Sequence, residues 1–406
     1  MNILILNTSD HVGGAAIAAS RLMKALNKQS GIQCRMLTRK KKFPAFYFER
    51  FVIWMHNGFK RKGLFDVSIA NCGEDVTNTK EFKDADIIHL HWINQGFLSL
   101  VGLRKILESG KPIIWTMHDM WAFTGVCHYA NGCEKYWKGC CDCPQLMCQR
   151  HNDLSATYFE KKKTLFRNAD IRFVGCSQWM ADMARKSGLL AGNHITNIPN
   201  AIDTDVFIPL NKNEVRKKFN LPLDKKLILF CSMKTTDTRK GMSYLIDACQ
   251  YLQDCEYSII ILGGKAEIYK DMLPMPIHCL NYVGNEKDMA DVYNAADVFV
   301  TPSMQDNLPN TIMEAMSCGT PCVGFNTGGI PEMIDHKRNG YVAEYRNAQD
   351  LAKGITWVLE NMDKECLCEN ARTKVMENYT EAVVAKRYIE MYNSSRLGAE
   401  RLEVRG

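Results

Sequence analysis

Two acids and two cations in the second half of the sequence are candidates for holding an anionic ligand. Asp306 and Glu314 are separated by seven residues, and Arg239 and Lys240 directly precede Gly241, where a helix is predicted to begin. Two cations at a helix N-terminus oppose the helix dipole, so a bound diphosphate accounts for them better than solvation does. The pattern therefore predicts an anion site.

The segment around Asp306 could contact such a ligand at several points. It reads SMQDNLPNTIMEAMSCGTPCVGFNTGG over residues 303–329. We expect Glu314, near the first turn of a helix, to accept hydrogen bonds from ribose hydroxyls, and Asp306, in the preceding loop, to bind the sugar. Backbone N–H groups of Asn307 and Leu308 are expected to bind phosphate. An acid near a helix N-terminus is also favoured by the dipole alone, and that alternative stays open.

Small residues at predicted strand ends could leave room for the same ligand. Gly13 and Gly14 follow the first strand and open an alanine-rich helix, where the backbone can approach phosphate closely. Their spacing is not that of the dinucleotide-binding motif, which argues against NAD. Gly264, in LGG, and Tyr282, in YVG, end two later strands and are candidates for contact with ribose or base. Tight turns explain the glycines equally well.

His118 and Asp119 end a predicted strand in the first half, within WTMHDMWAFTG. Site residues gather at the carboxyl ends of parallel strands, so His118 could bond a sugar hydroxyl or act as a base. The alternative is a buried structural histidine paired with Asp119.

The elements that must position these residues form two domains, because 406 residues are too many for one ordinary core. Short apolar runs alternate with amphipathic segments, which predicts an α/β fold with two doubly wound parallel sheets. A polar stretch near residue 200 places the boundary between domains of residues 1–199 and 200–379. Ligands bind beyond the carboxyl ends of such strands, so we expect the site in a cleft between the halves.

Composition limits the classes of function. The formal net charge of +6 is mild for this length, so it does not indicate a nucleic-acid partner, although it suits an anionic ligand or membrane surface. No apolar run reaches the length of a membrane span, and the N-terminal run predicts a first strand rather than a secretion signal. Seventeen cysteines then favour the reducing cytoplasm, with a peripheral position on the inner face of the plasma membrane as a further expectation.

The whole pattern resembles a known enzyme family. The segment TPSMQDNLPNTIMEAMSCGTPCVGFNTGGIPEMI, together with IPNAID, RKG and GGAAIAASRLMKAL, is similar to the retaining glycosyltransferases of family 4. DIIHLHWI, WTMHDMWAFTGVCHY and CPQL are similar to a subgroup that makes bacterial exopolysaccharide, capsule and colanic acid. The resemblance implies the GT-B fold, in which two Rossmann-like domains face each other across a cleft. It also implies an N-terminal acceptor domain, a C-terminal donor domain and a last helix, over about 380–406, that packs back on the first domain.

The resemblance implies roles for the individual residues. Glu314 would contact the donor ribose, Asp306 and His118 the donor sugar, and Arg239 and Lys240 the leaving diphosphate, while Gly13 and Gly14 leave room for the phosphates. The sequence departs from the family pattern at three positions. Asp306 replaces the usual Glu, Thr235 stands where an Arg is usual, and Ala201 replaces a Gly. Arg239 could substitute for the missing Arg.

The implied activity is transfer of a sugar from a UDP- or GDP-sugar to a growing, lipid-linked surface polysaccharide, with retention of anomeric configuration. Cations aimed at the leaving diphosphate lower the barrier, so we expect that catalysis needs no metal or cofactor. A sugar phosphorylase of the same fold is an alternative, but nothing in the sequence indicates the lysine that its pyridoxal cofactor would need.

A cysteine cluster follows His118 in the sequence. Cys127, Cys133, Cys140 and Cys143 have the spacing C-x5-C-x6-C-x2-C. This pattern is compatible with structural zinc, and free thiols are an equal alternative. A zinc-containing nucleic-acid module is a third function class, but it leaves the two acids and the Arg-Lys pair unexplained.

Residues 38–63 interleave basic and aromatic side chains. This composition predicts a face lying on an anionic bilayer, with Phe46, Phe51 and Trp54 inserted and Lys40, Lys41 and Lys42 on the headgroups. The alternative is a helix packed on the domain with its polar side in water.

Overall fold

The structure is a computed structural model that describes residues 1–39, 44–61, 63–252, 256–280 and 283–403. The chain divides into two compact units. The first comprises residues 1–200 together with the chain from residue 384 onward, and the second comprises residues 201–383.

The first unit contains a six-stranded parallel sheet with the order β2-β1-β3-β4-β5-β6. Its strands are nearly continuous apolar runs, and all five residues of β4 are buried, as expected for a sheet covered on both faces. The strands are β1 (Asn2–Leu6), β2 (Gln33–Leu37), β3 (Ile87–Leu90), β4 (Ile113–Met117), β5 (Ile171–Gly175) and β6 (His194–Asn197).

Among the described residues up to 200, six helices accompany this sheet, and four of them begin at a side chain that accepts a hydrogen bond from the first turn. The capping residues are Thr79, Ser99, Asp153 and Ser177, types that favour a helix start. The helices are α1 (Gly14–Asn27), α2 (Ala45–His56), α3 (Lys80–Asp84), α4 (Leu100–Leu107), α5 (Leu154–Phe166) and α6 (Gln178–Arg185).

The second unit contains another six-stranded parallel sheet, with the order β12-β11-β10-β7-β8-β9. Its strands are β7 (Lys226–Lys234), β8 (Tyr257–Gly264), β9 (Ile277–Leu280), β10 (Val298–Thr301), β11 (Cys322–Phe325) and β12 (Gly340–Ala343). Its helices are α7 (Lys212–Lys218), α8 (Met242–Cys249), α9 (Glu286–Ala295), α10 (Asn310–Ser317), α11 (Ile330–Met333), α12 (Ala348–Asn361) and α13 (Leu367–Asn378). The predicted fold class, two doubly wound parallel sheets, is confirmed.

The last helix, α14 (Glu381–Glu403), belongs mostly to the first unit. The Tyr392 hydroxyl lies 2.8 Å from His89 Nδ1, and the Tyr388 hydroxyl lies 2.8 Å from the Thr116 hydroxyl. Both contacts are fully buried. The C-terminal helix therefore completes the polar interior of a sheet whose strands lie at the other end of the sequence.

Candidate active site

Lys240 and Asp306 form an ion pair in the second unit. Lys240 ends a 3-10 turn (Thr238–Lys240) that follows β7, and Asp306 lies in the loop that follows β10. These strands are parallel neighbours, so their carboxyl ends lie at the same edge of the sheet. The Lys240 Nζ lies 2.5 Å from Asp306 Oδ2, and both side chains are partly exposed. For Lys240 to bind an anionic ligand, its ammonium group must leave the Asp306 carboxylate or contact both groups at once.

Two glycines with positive φ bring the surrounding loops close together. Gly241 has φ of +72°, and a Cβ there would lie 1.8 Å from the Pro302 carbonyl oxygen. Gly328 has φ of +59°, and its Cβ would lie 1.7 Å from the Asp306 carbonyl oxygen. L side chains rarely adopt this conformation, and here they would also clash with backbone. The loop that carries Asp306 is therefore held between two backbone contacts that only glycine permits.

Glu314 is buried, with 5% of its surface exposed. Its Oε2 accepts a hydrogen bond of 2.8 Å from the hydroxyl of Tyr293 on α9. Burial, together with the nearby Glu314 carboxylate, raises the pKa of Tyr293 well above its usual value, so this hydroxyl stays a donor. Glu314 is the fifth residue of α10, so it lies directly after the first turn, near the position that the sequence predicts. The helix dipole at the N-terminus therefore does not explain the acid at this position.

The other candidate donor contacts of the second unit lie in different surroundings. Asn307 and Leu308 are buried directly after Asp306, and the Asn307 N–H donates to Asp306 Oδ1 at 3.1 Å. Gly264 is exposed, and its carbonyl accepts a hydrogen bond from the Thr235 hydroxyl at 2.9 Å. Arg239 pairs with Asp237 at 2.8 Å and is 43% exposed. Tyr282 lies outside the described residues.

In the first unit, half-buried His118 lies beside another histidine. Its Nε2 lies 2.8 Å from Nδ1 of His91, the two rings are stacked, and its Nδ1 lies 3.5 Å from Cys176 Sγ. Burial lowers the pKa of His118 to about 4, so the ring is neutral at physiological pH. Both ring nitrogens thus have neighbours, and a sugar hydroxyl that bonds His118 must replace one of them.

Asp119 is held by partners that the sequence analysis did not identify. Its Oδ2 accepts hydrogen bonds from Trp92 Nε1 at 2.6 Å and from His128 Nδ1 at 2.7 Å, and its Oδ1 accepts from the Trp121 N–H at 2.9 Å. Burial opposes ionisation, but His128 and these donors lower the pKa of Asp119 below its usual value. Asp119 pairs directly with His128, and its negative charge also favours the protonated form of His118.

His91 and His128 differ in how far the sequence could have identified them. His91 lies in HLHW, just after β3 and next to the end of β4, so the parallel sheet order brings it to His118. His128 lies in an irregular loop, where no periodicity indicates its position. The position of His91 at the end of a strand could therefore have been read from the sequence, whereas no pattern in the sequence indicates the position of His128.

Gly13 and Gly14 open α1, as the sequence predicts. Gly13 has φ of +91°, and no atom lies within 4 Å of the position that a Cβ would take. The start of α1 is therefore open on that side, which is compatible with a ligand near the helix N-terminus.

The four cysteines of the predicted zinc cluster line one small cavity of about 10 Å³. Their sulfur atoms do not form a group of three all within 4.8 Å of one another, whereas among the described residues Cys141, Asp142 and His151 do. All four cysteines are free thiols. Within the described part of the chain, no helix is long and apolar enough to cross a membrane.

Two family models match the chain in succession. The model described as Glycosyltransferase Family 4 matches residues 12–206, and that described as Glycosyl transferases group 1 matches residues 211–375. The two matches correspond closely to the two structural units. The chain belongs to glycosyltransferase family 4, with the GT-B fold.

This glycosyltransferase is similar to enzymes named for lipid-linked sugars and surface polysaccharides. It is 25% identical over 228 residues, 55% of the chain, to the N,N'-diacetylbacillosaminyl-diphospho-undecaprenol alpha-1,3-N-acetylgalactosaminyltransferase of Campylobacter jejuni. It is 25% identical over 64% of its length to the putative colanic acid biosynthesis glycosyl transferase WcaC of Escherichia coli. The matches span 60% and 63% of these relatives' own lengths.

A solved structure shares the fold of the glycosyltransferase over almost its whole length. The Anabaena protein HepE, in complex with UDP and glucose, superimposes with a TM-score of 0.64 at 18% identity, covering 97% of this chain and all of that one. At this identity the likeness shows the GT-B fold alone.

Proposed function

We infer that the glycosyltransferase moves a sugar from a UDP- or GDP-sugar to a lipid-linked polysaccharide acceptor, with retention of configuration and without a catalytic metal. The observation that carries this proposal is the Lys240–Asp306 pair at the edge of the second sheet, with Glu314 buried on the following helix. The relative named for an undecaprenol-linked sugar supports the class of acceptor.

The proposed mechanism depends on the charge that develops on the leaving group. Cleavage of the sugar–phosphate bond leaves negative charge on the diphosphate, and Lys240 and Arg239 are the cations placed to neutralise it. Asp306, released from Lys240, then binds sugar hydroxyls, and Glu314 binds the ribose. Attack occurs from the face that the diphosphate leaves, and a donor phosphate oxygen takes the proton of the acceptor hydroxyl. No step needs a metal ion, because lysine and arginine supply the positive charge.

A thermal-shift screen with UDP, GDP, ADP and their common sugars in EDTA tests the donor assignment. A ligand that binds only the folded state raises the free energy of unfolding by about 2.7 kcal/mol at a concentration of 100 Kd. The melting temperature rises as a result. We expect one uridine or guanosine nucleotide to raise it, and Glu314→Ala to remove most of that shift. Glu360→Ala, an exposed glutamate of the same unit, is the matched control and should keep it. A shift that survives in Glu314→Ala would contradict the proposed ribose contact.

A membrane surface is the second part of the proposal, and it rests on α2 and the turn after it. Six large apolar side chains there are 39–65% exposed, and they are Tyr47, Phe48, Phe51, Met55, Phe59 and Phe65. Lys60 and Arg61 are exposed beside them. Aromatic side chains flanked by cations suit the interface of an anionic bilayer. Of the predicted inserting residues, Phe51 is exposed, whereas Phe46 and Trp54 are half-buried; Lys40, Lys41 and Lys42 lie outside the described residues.

A buried ion pair fixes the inner side of α2. Glu49 Oε1 accepts the backbone N–H groups of Ile69 and Ala70 at 2.7 and 2.8 Å, and Arg50 pairs with Glu49 at 2.9 Å. Breaking such a buried pair would cost about 3–5 kcal/mol, so α2 cannot readily turn its aromatic side inward. Because α2 is held in this orientation, its aromatic side chains stay on the surface, where they can contact a membrane.

Flotation with vesicles of anionic phospholipid tests the membrane surface. We expect the wild-type protein to float with the vesicles and Phe48→Ser/Phe51→Ser to lose most of this binding. Lys60→Glu/Arg61→Glu should lose only the electrostatic part of the binding, which added salt also removes from the wild type. Lys287→Glu/Lys353→Glu makes the same charge change at exposed positions of the second unit and is the control. If the aromatic variant floats as well as the wild type does, the proposed surface is wrong.

A further inference from the structure

The loop between β4 and α5 is unusually long for its content of regular structure. It covers residues 118–153 and contains only two 3-10 turns, Trp121–Phe123 and Lys135–Trp137. Connections longer than about 12–15 residues without secondary structure are uncommon in compact domains. This loop nevertheless supplies Asp119 and His128, which share a partly buried hydrogen bond of 2.7 Å. Something other than backbone pairing must hold it in one conformation.

Five thiols of this loop line one cavity, whose volume of about 10 Å³ is close to that of one water molecule or ion. They are Cys127, Cys133, Cys140, Cys141 and Cys143. Cys127 and Cys143 are buried, while the other three are half-buried. A structural zinc site is closed and tetrahedral and takes four protein ligands, so four of these sulfur atoms would complete it.

Backbone donors are directed at two of these sulfur atoms. The Gly125 N–H donates to Cys140 Sγ at 3.2 Å. Burial raises the pKa of Cys143, and the backbone of Gln145 and Leu146 lowers it by less. Cys143 is itself fixed from the other side, because its N–H donates to Asp153, the cap of α5, at 2.7 Å. Hydrogen bonds from the surroundings to ligand atoms orient and stabilise them when a metal is bound.

A buried cation lies beside the cluster. Lys162 on α5 is fully buried, and its Nζ donates to the carbonyl oxygens of Trp121 and Thr124 at 2.6 and 3.0 Å. Four thiolates around one divalent ion carry a net charge of −2, and burying that charge is costly unless a cation accompanies it. Burial lowers the pKa of Lys162 to about 7, whereas negative charge on Cys140 and Cys127 raises it, so thiolates at these positions favour the charged ammonium.

We propose that Cys127, Cys133, Cys140 and Cys143 bind one zinc ion as four thiolates, in a closed structural site that holds the loop carrying His128. Each thiol releases its proton when the metal binds, so four protons leave for each ion bound. No three of the four sulfur atoms all lie within 4.8 Å of one another. They are therefore too far apart for every one of them to form a zinc–sulfur bond of about 2.3 Å to the same ion. The four side chains therefore close on the cavity as the ion enters, and Lys162 offsets half of the resulting charge.

A competing set of ligands lies next to the proposed site. Cys141, Asp142 and His151 have ligand atoms within 4.8 Å of one another, but Cys141 and Asp142 are partly exposed and His151 is exposed. Structural zinc sites have four protein ligands and exclude water, whereas this set offers three. The two sets share no residue, so substitutions distinguish them.

Metal content of the purified protein, measured by mass spectrometry after dialysis against metal-free buffer, tests the proposal. We expect about one zinc ion per chain in the wild type and in His151→Ala, and at least an approximately fivefold lower content in Cys140→Ser/Cys143→Ser. Cys366→Ser, an exposed cysteine of the other unit, should keep its zinc. The proposal is overturned if His151→Ala loses the metal while the double serine variant keeps it, or if the folded wild type binds none.

A second measurement uses the wild-type chain and stays informative if the double variant does not fold. Alkylation followed by peptide mapping should show all four thiols protected in the protein as purified and modified after chelation. Cys34 and Cys249, buried in other cores, should stay unmodified in both states. In cobalt-substituted protein, Cys143→His should lower the thiolate-to-metal absorption by about a quarter, since one of four sulfur ligands is replaced. Equal alkylation of the four thiols with and without chelator would also overturn the proposal.

Discussion

Lys240→Ala is expected to lower kcat by about 10²- to 10³-fold while the protein keeps its fold. Lys240 is the cation nearest to Asp306, at 2.5 Å, and it is placed to neutralise charge that appears on the diphosphate only as the sugar leaves. Removing one preorganised group of this kind typically costs that factor in rate. Its ion pair is partly exposed, so its loss should change stability little. Steady-state kinetics with the donor identified by thermal shift, and a melting curve, measure the two effects.

Lys353→Ala is the matched control for Lys240→Ala. Lys353 is an exposed lysine of the same unit on α12, and its removal should leave kcat unchanged. Arg239→Ala provides a graded comparison, because Arg239 is more exposed than Lys240 and pairs with Asp237, two residues away in the sequence. A Lys240→Ala enzyme with kcat within about threefold of the wild type would contradict the proposed role of this cation.

Gly328→Ala is expected to lower kcat/KM by about 10²-fold through displacement of Asp306. The new Cβ would lie 1.7 Å from the Asp306 carbonyl oxygen, so either the Asp306 loop or the turn at Gly328 must move. A misplacement of about 1 Å in a catalytic group can cost such a factor. The substitution also forces a non-glycine residue to φ of +59°, which costs about 1–2 kcal/mol in stability.

Gly319→Ala separates these two effects. Gly319 has φ of +77° in the same unit, but its nearest neighbouring atoms are 3.7 Å from the added Cβ. It should therefore lose a similar amount of stability without losing activity. If both variants lose activity equally, backbone strain rather than the position of Asp306 is responsible.

Most strands of the fold follow from the sequence, because each is a short apolar run bounded by polar turns. The exception is β12, Gly340–Ala343, which has four residues and follows a polar turn, so it has too little apolar length to be recognised. Its place is set by pairing with β11 rather than by its own composition. Gly340 shows the reason, since a Cβ there would meet the Cys322 carbonyl oxygen at 2.2 Å. Such close approaches between strands are not visible in one segment of sequence.

The sequence predicts several individual residues of the candidate site, but it does not predict which of them contact one another. Lys240 and Asp306 were both identified from their types and from the ends of the strands that carry them, yet their ion pair joins residues 66 positions apart. Tyr293, a partner of Glu314, lies in the helix EKDMADVYNA, whose sequence does not indicate that this hydroxyl reaches Glu314. Residue type and strand ends therefore indicate which groups do chemistry, whereas their partners depend on tertiary packing.

The contact between α14 and the first sheet has a consequence for how the chain is made. His89 and Tyr392 are separated by 303 residues, and Thr116 and Tyr388 by 272. On the ribosome the whole second unit emerges between the two members of each pair. Until α14 arrives, the buried imidazole and hydroxyl in the first sheet lack these partners, and such unpaired polar groups destabilise a core. Late-synthesised residues thus control when the first-made domain reaches its final state, and translation that stalls before residue 384 would leave that domain incomplete for chaperones and proteases to recognise.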